Sequence, residues 1–138
     1  MVYNYLHTVQ YYETDQMQVV HHSNYIRWFE EARTDYMDKI GLSYAEIEKG
    51  GIIIPVVDVE CKYKSMTRFG EKVNVETKIE EFNGVVVKFS YVITDLATGK
   101  VRVTGKSSHC FLTKEHEIIH LKKANKELFD KFTKALEE

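Results

Sequence analysis

Asp15 is the residue whose type and surroundings best suit it to chemistry. It lies in the run Tyr12-Glu13-Thr14-Asp15-Gln16-Met17, and Val19-Val20-His21-His22-Ser23-Asn24-Tyr25 follows after one residue, Gln18. The chain changes here from polar/apolar alternation to apolar positions spaced at i+3 and i+4. A carboxylate therefore stands just ahead of a helix start, with two histidines and a serine at the helix mouth. A helix start presents N–H groups without intrahelical acceptors, together with a partial positive charge. An acid facing such an end suits acyl transfer: the N–H groups hold an oxyanion while the carboxylate acts as general base for water or as nucleophile. Residue types do not choose between these two roles. An aspartate beside a helix is also commonly an Asx-turn or capping residue, and that reading stands next to the catalytic one.

His22 is the second candidate. Its backbone N–H suits an oxyanion, and its imidazole can contact substrate or orient water. His21 is expected to pack or to face solvent. Two consecutive residues do not readily turn both rings onto one ion, and His109, His116 and His120 add no ligand spacing, so no metal site is expected. Cys61 and Cys110 are the only cysteines. They read as small buried thiols without a nucleophile motif, and no disulfide framework is expected.

The elements that must hold these residues follow from periodicity. Residues 4–13 alternate and predict a first strand. Tyr25, Phe29, Ala32, Tyr36 and Ile40, widened by Trp28 and Met37, predict a helix over 23–40 that Gly41 ends. Tyr25, Trp28 and Phe29 are expected in its core-facing stripe, with Glu30, Glu31 and Arg33 on a solvated or interface face. Ser43 and Glu46 form a capping-box pattern for a short helix over 43–49, before Gly50-Gly51. Residues 52–64 predict a strand with Pro55 near its start. Val73 to Glu80 alternate, Asn83-Gly84 signals a two-residue hairpin, and Val85 to Ile93 run up the next strand. Asp95 to Lys100 turn again, residues 101–113 continue the pattern, and 122–136 predict a last amphipathic helix. Strands joined by hairpins are neighbours, so the expected class is α+β: a curved antiparallel sheet wrapped around the long helix. Its outer face and edge strands call for a cover, which a homodimer joining two sheets supplies.

The chain has 138 residues, and one domain spanning 1–138 is expected. Hydrophobic residues make up 43% and charged residues 29%, a globular balance. A formal charge of −2 gives no electrostatic case for nucleic acid. The longest apolar runs, such as Gly51 to Val57, are too short to span a bilayer. Met1-Val2-Tyr3-Asn4-Tyr5 lacks the basic and apolar regions of a leader, so a cytoplasmic place is expected.

Tyr12-Glu13-Thr14-Asp15-Gln16-Met17, Val19-Val20-His21-His22-Ser23-Asn24-Tyr25, Trp28-Phe29-Glu30-Glu31-Ala32-Arg33, Pro55-Val56-Val57, and Tyr63 through Arg68-Phe69-Gly70-Glu71 resemble the hotdog-fold acyl-CoA thioesterases of the 4-hydroxybenzoyl-CoA thioesterase type, especially the bacterial short-chain and Tol-Pal-associated branch. The element order is similar over about residues 3–135. The resemblance implies a hotdog fold, a homodimer or homotetramer with sites at the subunit interface, and hydrolysis of acyl-CoA to a free acid and CoA. It implies no cofactor, coenzyme A being part of the substrate. It puts the family's acid at Asp15 and its helix-start amide at His22. Tyr25 is then expected to line the acyl pocket near the helix start, and Ile54, Pro55 and Val57 to wall it from the partner subunit, a role compatible with a plain buried strand. Lys62, Lys64 and Arg68, with Asn83 and Gly84 at the hairpin, are expected near the nucleotide and phosphates of CoA. An acyl-carrier-protein thioesterase and a non-catalytic acyl-CoA-binding protein are the alternatives. Gln18 stands where the family loop usually carries glycine. Ile54 replaces the threonine of the aromatic-acyl members, whose basic cluster is absent at Asn83-Gly84.

Overall fold

The alternation over residues 72–110 is realised as the middle of a sheet. The computed structural model describes residues 2–138. Its strands are β1 (Val2–Thr8), β2 (Ile52–Ile53), β3 (Val56–Tyr63), β4 (Lys72–Phe82), β5 (Val86–Asp95), β6 (Val101–Cys110) and β7 (Leu112–Thr113). Its helices are α1 (Ser23–Lys39), α2 (Tyr44–Lys49), α3 (Leu121–Ala124) and α4 (Lys126–Glu137). The five-stranded sheet runs β1-β4-β5-β6-β3, all antiparallel, and β2 pairs with β7.

One sheet face carries Val73, Val75, Val87, Phe89, Tyr91, Ile93 and Val103, all buried against α1. The helix supplies Trp28, Phe29, Ala32, Tyr36 and Met37. Phe29 stacks on Tyr91 with centroids 4.4 Å apart. A Cβ at position 105 would lie 2.4 Å from the Phe29 ring, so Gly105 is what lets the helix settle onto β6. The α4 side chain of Phe132 stacks on Phe82 and meets Phe111, closing one end of the core.

Several expectations change. The first strand ends at Thr8, and the chain turns through a short 3-10 helix at Tyr11–Glu13. The strand over 52–64 is two strands with different partners, separated at Ile54-Pro55, where proline lacks an N–H for the ladder. Residues 101–113 divide correspondingly at Phe111. Asn125, at φ −157°, breaks the last helix, and its side-chain oxygen accepts the Leu128 N–H. Ser43 makes no side-chain capping bond, although α2 forms as expected. The hairpin loop has three residues, Asn83–Val85, because the Asn83 side chain accepts both the Val85 and Val86 N–H groups. Both cysteines are free and only half-buried.

The outer sheet face is largely polar, carrying Asn74, Glu76, Lys78, Lys88, Ser90, Thr104 and Lys106. β3 leaves Val56, Val57 and Val59 between 41% and 58% exposed, and Val57 is the extra residue of a bulge against β6. Among the described residues no helix is long and apolar enough to cross a membrane, and no group of three or more His, Cys, Asp or Glu is placed to hold a metal.

Candidate active site

A tight turn presents Asp15. Its N–H donates to Val19 O at 2.9 Å, and Gln18 N–H donates back to Asp15 O at 2.9 Å. One carboxylate oxygen, Oδ1, accepts the Met17 N–H at 2.8 Å; the other has no partner among the described residues. The Asx-turn bond and an available oxygen therefore coexist in one side chain. The turn holds Gln18 at φ +64°, the left-handed conformation that a side chain resists by about 1–2 kcal/mol.

Glu13 ties this turn to the helix. Its buried carboxylate accepts the Trp28 Nε1–H at 2.6 Å and the Gln10 N–H at 2.8 Å, and it pairs with His7 Nε2 at 2.8 Å. Its backbone oxygen accepts the His21 N–H at 2.9 Å and the Asn24 Nδ2–H at 2.8 Å. Burial pushes the Glu13 carboxyl up, but the Gln10, Trp28 and His7 bonds outweigh it and hold it below the ordinary range.

At the helix start, Ser23 N–H donates to His21 Nδ1 and Asn24 N–H to His21 O, whereas His22 N–H meets no acceptor among the described residues. The His21 ring is exposed and stacks on His22 at 4.3 Å. Tyr25 is buried and donates its hydroxyl to Thr67, whose carbonyl in turn takes the Val20 N–H.

Asp15, His22, Tyr25 and Lys64 line one cavity of about 260 Å³, together with Met17, Tyr63 and Met66. The remaining expected residues lie outside it. Lys62 and Lys64 part company because the chain leaves β3 after Tyr63, where Lys64 and Ser65 N–H both bond Arg102 O. Lys62 stays with Glu60 at 3.7 Å. Arg68 is exposed in the following loop. Ile54 and Pro55 sit between β2 and β3, and Val57 is on the exposed edge. Asn83 and Gly84 are elsewhere: a Cβ on Gly84 would lie 2.5 Å from the His120 ring, so that backbone is already covered. Arg33 is not on a solvated face, since its guanidinium donates to the Tyr91 hydroxyl at 3.0 Å.

The sequence model of the thioesterase-like superfamily matches residues 9–133. The chain belongs to that superfamily. This thioesterase is 40% identical over 107 residues to the putative acyl-CoA thioesterase YneP of Bacillus subtilis, covering 78% of this chain and 77% of the relative. A putative esterase of Aquifex aeolicus is 32% identical over 89% of this chain and 94% of its own length. The solved structure of a DHNA-CoA thioesterase from Staphylococcus aureus superposes with a TM-score of 0.91 at 34% identity, covering 96% of this chain and 89% of that one. The hotdog architecture is thereby shown.

Glu13, Asn24, Thr67 and Arg102 are the supporting residues that sequence reasoning missed. Glu13 and Asn24 stand inside the stretch that carries the family resemblance, but neither residue's type nor its spacing reveals its supporting bonds.

Proposed function

We propose that this thioesterase hydrolyses acyl-CoA thioesters to a free carboxylic acid and CoA, with Asp15 and the His22 N–H as its working groups. The observation that supports it is the cavity in which an Asp15 with a free oxygen and a His22 with an unclaimed amide meet. Asp15 takes a proton from water as the oxygen adds to the thioester carbonyl, the oxyanion is held at the helix start, and the C–S bond breaks with the proton passing to the CoA sulfur. In the nucleophilic variant the carboxylate adds first and water opens the anhydride. Label left in Asp15 after a single turnover in heavy-oxygen water identifies the anhydride route, with water opening the anhydride at the Asp15 carbonyl. Lys64 at the cavity and Arg68 beyond it offer charge to the CoA phosphates. The uncovered β3 edge, apolar at Val56, Val57 and Val59 and continuous with Tyr63 of the cavity, favours a homodimer that brings Ile54, Pro55 and Val57 to the partner's pocket.

The test is kinetic. Asp15→Ala and Asp15→Asn should each lower kcat by about 10²–10⁴-fold across a panel of short, medium, long and aromatic acyl-CoAs, with the oligomer unchanged by light scattering. Wild-type rates in both variants sink the assignment.

A further inference from the structure

We propose that Glu13 is a positioning residue for the reaction, fixing the Asp15 turn against the first turn of α1. This rests on the reading of Asp15 given above. Three elements and the helix entry at His21 converge on Glu13. Its carboxylate takes donors from β1 through His7, from the 3-10 turn through Gln10, and from the second turn of α1 through Trp28. Its carbonyl takes His21 N–H, one residue before the unclaimed amide of His22, and the Asn24 side chain inside α1. Asp15 is two residues further along, and its own turn closes by the Thr14–Val20 bridge onto the same helix entry. The acid and the amide are thus held in mutual register by one residue that does not itself line the cavity. The carboxylate is 6% exposed and every contact it makes is a donor, so its location is determined from three directions at once.

The chemistry of the cluster requires a carboxylate rather than an amide. Glutamine offers one acceptor oxygen and one donor NH₂ group. Whichever way it turns, the NH₂ faces either the Trp28 Nε1–H or the Gln10 N–H. Glu13→Gln therefore repels one of the two anchors and lets the turn drift. A displacement near 1 Å in a catalytic group lowers rate by about 100-fold.

The experiment compares Glu13→Gln, Trp28→Phe and the double variant, with Asp15→Asn in parallel. Kinetics are referred to folded protein, measured by near-ultraviolet circular dichroism and active oligomer. Glu13→Gln is expected to lose about 100-fold in kcat with KM changed less than about threefold, because substrate binding surfaces are untouched. The double variant removes the opposing Trp28 donor and lets the amide sit with its oxygen on Gln10, so it should recover about tenfold of the lost kcat relative to Glu13→Gln. A Glu13→Gln protein with wild-type kcat per folded molecule overturns the proposal, as does a loss that the double variant deepens. If Glu13→Gln keeps kcat while Asp15→Asn is inactive, the positioning role alone fails. If Asp15→Asn is fully active, the site reading beneath it fails first.

Discussion

Two buried polar clusters hang on α1, and they end differently. Around Glu13 every contact is donor to acceptor and the carboxylate is saturated by Trp28, Gln10 and His7. Around Arg33 a chain runs across the core: Arg33 to Tyr91 at 3.0 Å, Tyr91 to Ser107 at 2.6 Å, Ser107 to His109 at 2.8 Å. Among the described residues that chain leaves Arg33 Nε and His109 Nδ1 buried without a hydrogen bond, and no carboxylate pairs with Arg33. Buried polar groups are strongly stabilising to geometry only when satisfied. The first cluster therefore fixes a backbone turn next to the site. The second fills space between helix and sheet at a standing cost for each unmet atom.

The largest expected contrast is between removing the two charges. Glu13→Ala strands the Trp28 and Gln10 donors and should cost about 3–5 kcal/mol in urea unfolding. Arg33→Met replaces a half-buried cation that has no carboxylate partner among the described residues with a flexible apolar chain, and should change stability by about 1 kcal/mol or less in either direction. Tyr91 keeps Ser107 as a partner in that variant. Equal losses in the two variants break the comparison.

The pH dependence of stability separates the clusters next. Burial first, and Arg33 second, push the His109 imidazole down to about 4, with Asp58 opposing. A folded-state value below the unfolded value of about 6.5 means that the unfolded chain binds more protons between these limits, so stability rises with pH there. The contribution is complete above about 6.5 and is lost as pH falls towards about 4. Glu13 is also lowered, from 4.5, so its contribution is present above that value and is lost only as pH falls through its lower folded value. Unfolding free energies should therefore fall by a few kcal/mol between about pH 7 and pH 4.5 in the wild type. His109→Gln should flatten that slope while leaving the steeper loss at lower pH. An unchanged slope in His109→Gln assigns the upper window to another group.

The same contrast explains what the sequence made legible. α1 was readable because Tyr25, Phe29, Ala32 and Tyr36 bury one stripe over about three turns, a signal local to the chain. The hairpin order over 72–110 was readable for the same reason. Asp15, His22, Tyr25 and Lys64 reach one cavity, whereas Lys62, Arg68, Asn83 and Gly84 do not line it; Ile54, Pro55 and Val57 are expected to reach the pocket of a partner subunit, not that of their own chain. Lys62 and Lys64 share a face only while the strand continues, and it stops at Tyr63 through bonds to Arg102, far away in sequence. Arg33 read as solvated because its partner Tyr91 lies 58 positions away. Glu13 was hidden by the tyrosine-rich alternation, and the end of β1 at Thr8 is marked by no glycine, proline or asparagine. Long-range partners decide these cases, and residue types alone do not reveal them.

Gln18 offers the smallest effect and the sharpest check on the Asp15 turn. Its φ of +64° is strained for glutamine, and glycine there removes about 1–2 kcal/mol of strain. Glycine also widens the unfolded ensemble, which costs roughly 0.5–1 kcal/mol. The two terms nearly cancel, so Gln18→Gly should shift the unfolding free energy by less than about 1 kcal/mol. Its effect on kcat should stay within about twofold, because Glu13 and the Thr14–Val20 bridge, not residue 18, hold the acid against the helix. A tenfold change in kcat without a change in stability would mean that the side chain of Gln18 acts on the site directly. The register of Asp15 would then depend on the exposed turn more than on the buried carboxylate behind it.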